Sequence, residues 1–183
     1  MIYFVLGYKS SGKSLFVENL LQLTGKSTLY IGTLPDYAYY HETIEIHKKR
    51  RPEEWGLIEL IHDPACDLDV LYSQIDYFDN LMLDGLTFYI LRCIYFEQNL
   101  EKYKPLFLDL LQRIKGGRGC TYIVDTPVPA NLDRETKKTV LNLHYWIMRH
   151  AAGIFYVEKG KVEEMSFREA YRFNKLQMFG API

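Results

Sequence analysis

Gly7-Tyr8-Lys9-Ser10-Ser11-Gly12-Lys13-Ser14 is the stretch that decides the fold of this chain of 183 residues. It follows a continuous apolar run at residues 1–6, which predicts a strand buried on both faces. An amphipathic helical pattern begins near Lys13 and stops at Gly25. This strand–loop–helix context is the one in which G-x-x-x-x-G-K-S forms a phosphate-binding loop, or P-loop. We therefore expect these eight residues and Leu15 to bind the phosphates of ATP or GTP.

The residue types of the loop suit that task. Glycines allow successive backbone N–H groups to turn toward phosphate oxygens, and the helix N-terminus adds positive potential. Lys13 is expected to reach the β- and γ-phosphates, and the Ser14 hydroxyl is expected to ligate Mg²⁺. The sequence therefore predicts Lys13 as a catalytic residue and Mg²⁺ as the cofactor.

Asp84 ends an apolar run at residues 80–84 and is the candidate for the second metal ligand. An acid at the carboxyl end of a parallel strand faces the nucleotide edge of such a sheet. The alternative is that Asp84 caps the helix predicted to follow Gly85. The two roles are compatible, and we predict a catalytic, metal-binding Asp84.

Strand and helix patterns alternate along the chain, which predicts a mostly parallel sheet covered on both faces. The further strand patterns lie at 28–31, 57–61, 80–84, 120–125 and 154–157, and the further helical patterns at 35–48, 68–77, 86–96, 105–115 and 133–150. The predicted fold class is α/β, a RecA-like P-loop NTPase with a three-layer sandwich. We expect a nucleotide-binding domain at residues 1–160 and a C-terminal helical tail at 161–183, where Ser166 and Glu169 have capping-box spacing.

The composition is that of a globular protein, with 48% hydrophobic residues, 25% charged residues and a net charge of -1. The near-zero charge argues against a nucleic-acid partner. Cys66, Cys93 and Cys120 are widely spaced, which favours thiols in a reducing compartment over a disulfide framework or a zinc site. With no signal-peptide pattern and no apolar run of about 20 residues, we expect a cytoplasmic protein without a membrane partner.

Three further stretches, together with the N-terminal P-loop, carry a family resemblance. Residues 29–33 read LYIGT and are similar to the family strand LYIAT. Residues 44–55 read IEIHKKRRPEEW and are similar to the family pattern RIxxHxxxRPxxW. Residues 81–87 read LMLDGLT and are similar to VLLDCLT. Over about residues 1–160 the chain resembles the bifunctional adenosylcobinamide kinase/adenosylcobinamide-phosphate guanylyltransferases of cobalamin synthesis. The stretch at 44–55 is the most specific of these.

The resemblance implies two reactions: phosphorylation of the cobinamide hydroxyl, and transfer of GMP from GTP to the resulting phosphate. His47 matches the residue that carries GMP covalently, and imidazole chemistry suits that role near neutral pH. Arg51 matches the family arginine and is expected to bind nucleotide. Lys48, Lys49 and Arg50 are expected to be solvated, and Trp55 to be a packing residue. The resemblance also implies a homo-oligomer with nucleotide and corrinoid substrates.

The likeness weakens in the second half of the chain. Where the family has a strand ending in NEVG followed by GIVP, residues 124–129 read VDTPVP. Leu143-His144-Tyr145 occupies the family's lNq helix position, and Gly85 replaces a cysteine. Two alternatives therefore stay open: a P-loop kinase or NTPase that acts on a different small substrate, and a nucleotide-binding regulatory module without turnover.

Overall fold

A computed structural model describes residues 1–34, 38–60, 64–97, 100–116 and 119–179. Within these ranges seven strands form one sheet in the order β3-β2-β4-β5-β1-β6-β7, and only β7 runs antiparallel to its neighbour. The strands are β1 (Ile2–Leu6), β2 (Thr28–Gly32), β3 (Gly56–Glu59), β4 (Asn80–Asp84), β5 (Cys120–Asp125), β6 (Ala151–Glu158) and β7 (Lys161–Glu164).

Helices connect the parallel strands. They are α1 (Lys13–Thr24), α2 (His41–Arg50), α3 (Pro64–Gln74), α4 (Leu86–Glu97), α5 (Leu100–Gly116), α6 (Arg134–His150) and α7 (Phe167–Met178). Two single turns of 3₁₀-helix, Ala38–Tyr40 and Ile75–Tyr77, precede α2 and follow α3. None of the described helices combines the length and apolarity that crossing a bilayer requires.

The central strands are apolar along their whole length because both faces of the sheet are covered. In β1, Phe4 and Leu6 belong to the larger core, which is built with α3 to α7, whereas Val5 belongs to the smaller core on the α1 side. Trp55 packs against that smaller core, as predicted. The layered, mostly parallel α/β architecture predicted from the sequence is confirmed.

The structure differs from the sequence predictions in a few elements. Residues 154–157 were expected to form the last strand, but β7 follows as an edge strand at Lys161–Glu164. The segment expected to be a helical tail therefore begins with a strand. The helix expected from Pro105 begins at Leu100 and contains that proline. The expected helix start at 35–36 lies outside the described residues. Gly117, which with Gly116 was expected to end the helix at 105–115, and residues 180–183 of the expected tail lie outside them too, and the Cys66 side chain is not described either.

Candidate functional site

Three neighbouring strands bring their carboxyl ends to one edge of the sheet. β4 ends at Asp84, β5 ends at Asp125, and β1 leads into the glycine-framed loop. A cavity of about 620 Å³ opens at this edge, a size within the usual range of small-molecule sites. Of the residues predicted for the site, its wall contains Lys9, Ser10, Ser11, Gly12, Lys13, Ser14, Leu15, His47, Arg51 and Asp84. Gly7 and Tyr8 are not part of that wall.

The backbone of the loop has the conformation that its glycines allow. Gly12 has φ of 92° and Ser10 has φ of 61°, so the chain passes twice through the left-handed region. A Cβ at Gly7 would lie 2.5 Å from the Val157 carbonyl oxygen, because the loop runs tightly against β6. The Gly7 N–H donates to the Asp125 carbonyl oxygen at 3.2 Å. The loop is therefore held between β5 and β6.

The N-terminus of α1 faces this cavity without an internal cap. Its N-cap residue is Gly12, no side chain caps it, and its first turn contains no acid. By contrast, α6 is capped by Asp133 and α7 by the reciprocal Ser166–Glu169 box. The N–H groups of the first turn of a helix need acceptors, and an anion at this position would supply them.

Lys13 sits at that N-terminus, with its ammonium folded back onto the loop. Its Nζ donates to the Tyr8 carbonyl oxygen at 3.1 Å. Burial lowers the pKa of Lys13, and the carboxylates of Asp84 and Asp125 partly oppose this shift. The side chain is thus a partly desolvated cation, and the low polarity around it strengthens its attraction for a further negative charge.

Asp84 is held at the cavity by its neighbours. Its Oδ2 accepts a hydrogen bond from the Tyr30 hydroxyl at 2.9 Å, and its carbonyl oxygen accepts one from Thr33 Oγ1 at 2.8 Å. Burial, followed by the charge of Asp84, raises the pKa of Tyr30 well above its usual value, so Tyr30 remains a donor. The alternative role of Asp84 was to cap the helix that follows it. The Thr87 N–H in the first turn of α4 donates its hydrogen bond to Asp125 and not to Asp84, whereas Asp84 lines the cavity.

His47 lies in a cluster that joins α2 to α1 and β4. Its Nδ1 is 3.3 Å from Oε1 of Glu18, 3.2 Å from Nη2 of Arg50 and 3.8 Å from Oδ2 of Asp84. The Glu18 side chain has no exposed surface, and that of His47 is 15% exposed. The imidazole is therefore fixed against the phosphate-loop helix.

Arg50, the last residue of α2, and Arg51, which follows it, are also held in place by their neighbours. The Arg51 guanidinium lies 3.7 Å above the Tyr30 ring centre, and its Nε donates to the His47 carbonyl oxygen at 2.7 Å. Arg50 forms an ion pair with Glu18, its Nε lying 3.0 Å from Oε2. The prediction that Arg50 is simply solvated was wrong, because a buried carboxylate requires a cationic partner.

A second buried cluster lies behind the phosphate loop. Oδ2 of Asp125 accepts hydrogen bonds from the N–H and the hydroxyl of Thr87, both at 2.9 Å, and it is 2.9 Å from Nε2 of His144. The other ring nitrogen of His144 is 3.3 Å from Oδ1 of Asn174 in α7. Asp125, His144 and Asn174 have no exposed surface. This chain of polar groups connects α7 with the end of β5.

Sequence reasoning did not identify Glu18, Tyr30, His144 or Asn174 as residues of these clusters. Glu18 carried a signal, because it lies between Val17 and Leu21 on the side of α1 that the helical pattern buries. A carboxylate on a buried helix face is unusual and marks a specific partner. His144 carried a similar signal, since it lies with Val140 and Ile147 on the buried face of α6. Tyr30 and Asn174 carried no local signal, since their partners belong to elements distant in sequence.

A family model described as "Cobinamide kinase / cobinamide phosphate guanyltransferase" matches residues 3–140. Among solved structures, the flagellar accessory protein FlaH from Methanocaldococcus jannaschii aligns with 93% of this chain and 80% of its own, with a TM-score of 0.50 and 14% identity. A prototypical ATPase from the type III secretion system of pathogenic bacteria aligns with 95% of this chain and 62% of its own, with a TM-score of 0.53 and 11% identity.

At these identities the structural likenesses show the fold alone, and they confirm the predicted RecA-like P-loop fold. No curated protein sequence matches the chain.

Proposed function

The chain belongs to the cobinamide kinase / cobinamide phosphate guanyltransferase family, and on that premise we propose that it catalyses both reactions of this name. In the first, the γ-phosphoryl group of a nucleoside triphosphate moves to the cobinamide hydroxyl. In the second, GMP moves from GTP to the new phosphate through a covalent adduct on His47. The observation that carries the proposal is that His47 lines the same cavity as Lys13 and the uncapped N-terminus of α1.

The kinase step requires charge stabilisation on the phosphates more than covalent chemistry. The first-turn N–H groups of α1 and the Lys13 ammonium supply positive charge from one side of the cavity. For this role the Lys13 ammonium has to leave the Tyr8 carbonyl oxygen and turn toward the nucleotide. Lys9 and Arg51 line the same cavity and add cationic groups around it.

Ser14 and Asp84 are the proposed metal ligands. They offer a hydroxyl and a carboxylate oxygen to one cavity, and these are the hard donors that Mg²⁺ combines with phosphate oxygens and water. Within the described residues no group of three or more His, Cys, Asp or Glu side chains could hold a metal ion alone. This suits an ion that arrives with the nucleotide. Bound there, Mg²⁺ would neutralise phosphate charge.

In the guanylyl step a ring nitrogen of His47 attacks the α-phosphorus of GTP. A nitrogen–phosphorus bond forms, the bond from the α-phosphorus to the bridging oxygen breaks, and pyrophosphate leaves with the electron pair. An oxygen of cobinamide phosphate then attacks the same phosphorus and releases the histidine. Arg51 is held next to His47 and is suited to stabilise the charge that develops on the phosphate oxygens.

The test is retention of label on denatured protein. Incubation with [α-³²P]GTP should leave radioactivity on the chain, whereas [γ-³²P]GTP should not. His47→Asn should abolish the label while noncovalent GTP binding persists, and Lys48→Ala, a neighbouring exposed position on α2, is the matched control. Absence of acid-labile label with every divalent metal tried would refute guanylyl transfer through His47.

A second candidate is a P-loop kinase or NTPase for another small substrate. The end of β5 and the loop after it favour this candidate, since Asp125 and Thr126 both line the cavity and Asp125 is buried and paired with His144. Two prolines, Pro127 and Pro129, remove backbone donors from this loop. Phosphorylation of a different small alcohol, with cobinamide inert, would support this alternative.

A further inference from the structure

Glu18 is a buried carboxylate placed between the phosphate-loop helix and α2. It lies four residues after Ser14 on α1, so the two side chains project from the same face of that helix. Its Oε1 accepts a hydrogen bond from Nη2 of Arg50 at 3.2 Å and lies 3.3 Å from Nδ1 of His47. Burial of such a charge is costly unless it is paired. Arg50 supplies that pairing, and Oε1 of Glu18 faces the imidazole of His47 as well.

We propose that Glu18 is a positioning residue that keeps the proton of the neutral His47 ring on Nδ1. The remaining nitrogen, Nε2, then carries the lone pair and is the atom that takes GMP. This inference rests on the proposed function, because it names the reacting atom of the same histidine. It adds a residue from α1 to the guanylyl step.

The surroundings of Nδ1 favour a proton at this atom. The carboxylate nearest to it belongs to Glu18, with Oε1 at 3.3 Å. Ionised carboxylates only accept hydrogen bonds, so a lone pair on Nδ1 would point at negative charge. Arg50 also approaches Nδ1, with Nη2 at 3.2 Å, and a guanidinium only donates. The N–H groups of Arg50 pair with both oxygens of Glu18, and Oε1 has lone pairs enough to accept from Nη2 and from a protonated Nδ1 together.

The other ring nitrogen is in a different situation. Nε2 of His47 has no hydrogen-bond partner within the part of the chain that the structure describes, and the residue lines the cavity. With the proton on Nδ1, the two nitrogens have distinct tasks: one anchors the ring and the other is the nucleophile.

This assignment makes the covalent step simple. The lone pair of Nε2 forms the bond to the α-phosphorus, and the electron pair of the broken bond leaves with pyrophosphate. The ring keeps its Nδ1 proton and becomes cationic next to Glu18. In the second transfer the electron pair returns to Nε2 as the acceptor oxygen attacks. His47 neither gains nor loses a proton in either half, and the cationic ring is the better leaving group.

Two measurements on the unaltered protein test the assignment. The adduct formed with GTP is digested and compared with synthetic peptides carrying GMP on either ring nitrogen, and the Nε2 isomer is expected. An Nδ1 isomer would overturn this proposal while leaving the guanylyl function intact. Independently, ¹⁵N NMR of histidine-labelled protein without nucleotide should show the neutral His47 protonated at Nδ1, with its signals assigned by their loss in His47→Asn. Protonation at Nε2 overturns the proposal even if no adduct forms.

Glu18→Gln separates positioning from a general structural role. The amide can donate to Nδ1 and thereby place the proton on Nε2, so we expect the rate of adduct formation to fall by at least about tenfold. Binding of a fluorescent GTP analogue should be unchanged, because the phosphate loop is intact. A loss of binding in parallel with labelling, or a labelling rate equal to wild type, would contradict the proposal. Glu45→Gln, an exposed carboxylate on α2, is the matched control.

Discussion

Replacing His144 with leucine should destabilise the fold by about 2–4 kcal/mol. The side chain has no exposed surface, and Nε2 is 2.9 Å from Oδ2 of Asp125. Its ring also packs edge-on against Phe4, with ring centres 5.1 Å apart. Leucine preserves most of the apolar volume, so the loss arises from the polar partners and not from a large cavity.

The expected loss of unfolding free energy follows from the hydrogen bond that Asp125 loses and the hydrogen bonds that it retains. A hydrogen bond to a charged group contributes about 1.5–3 kcal/mol, and the aromatic contact adds about 0.5–1.5 kcal/mol. Removing the only partner of a buried charge costs about 3–5 kcal/mol. Asp125 retains hydrogen bonds from both donors of Thr87 and from the Thr126 N–H, so the expected cost remains below the upper end of that range.

Urea unfolding followed by circular dichroism measures this cost as a shift of the midpoint at constant slope. In a chain of this size each kcal/mol also lowers Tm by roughly 2–4 °C. Lys138→Ala, at an exposed position of α6, is the control. A double-mutant cycle with Asp125→Asn should give a coupling energy of about 1–3 kcal/mol. A change within about 0.5 kcal/mol for His144→Leu, as for an ordinary surface substitution, would refute the buried pair.

Three further predictions concern residues in the phosphate loop and next to the cavity. Lys13→Ala should weaken binding of a magnesium–nucleotide complex by about 10- to 100-fold, as measured by calorimetric titration. Gly7→Ala should destabilise the fold by about 1–3 kcal/mol, measured by urea unfolding, because the new methyl group would meet the Val157 carbonyl oxygen. The pKa of Tyr30 is raised by burial and by Asp84, so the folded state holds its proton while the unfolded chain releases it above pH 10.0. Stability should therefore fall as pH rises past that value, and Tyr30→Phe should show a shallower loss in alkaline unfolding curves.

The elements predictable from sequence are those with local signals. β1, the loop and α1 follow from an apolar run, two glycines and a helical repeat that ends at Gly25, which is indeed the αL C-cap. Asp84 followed from its position at the end of an apolar strand, and α7 from its capping box. β7 was missed because all four of its residues are exposed, so the edge strand shows no hydrophobic alternation.

The clusters around the site could not be predicted in the same way. Glu18 of α1 and His47 of α2 lie 29 residues apart along the chain, and their contact depends on how these two helices pack in the folded protein. The Asp125–His144–Asn174 chain requires three elements to meet at one point, and the last of them lies beyond the residues that match the family model. Such contacts depend on tertiary packing, so the helical pattern can mark a buried polar residue such as Glu18 but does not identify its partner.

A crystal structure with a non-hydrolysable GTP analogue and Mg²⁺ tests the central claim most directly. We predict the β- and γ-phosphates at the N-terminus of α1, Lys13 turned from the Tyr8 carbonyl oxygen toward them, Mg²⁺ between Ser14 and Asp84, and the α-phosphate facing His47. An analogue bound away from this loop, with Lys13 still on the Tyr8 carbonyl oxygen, would contradict it.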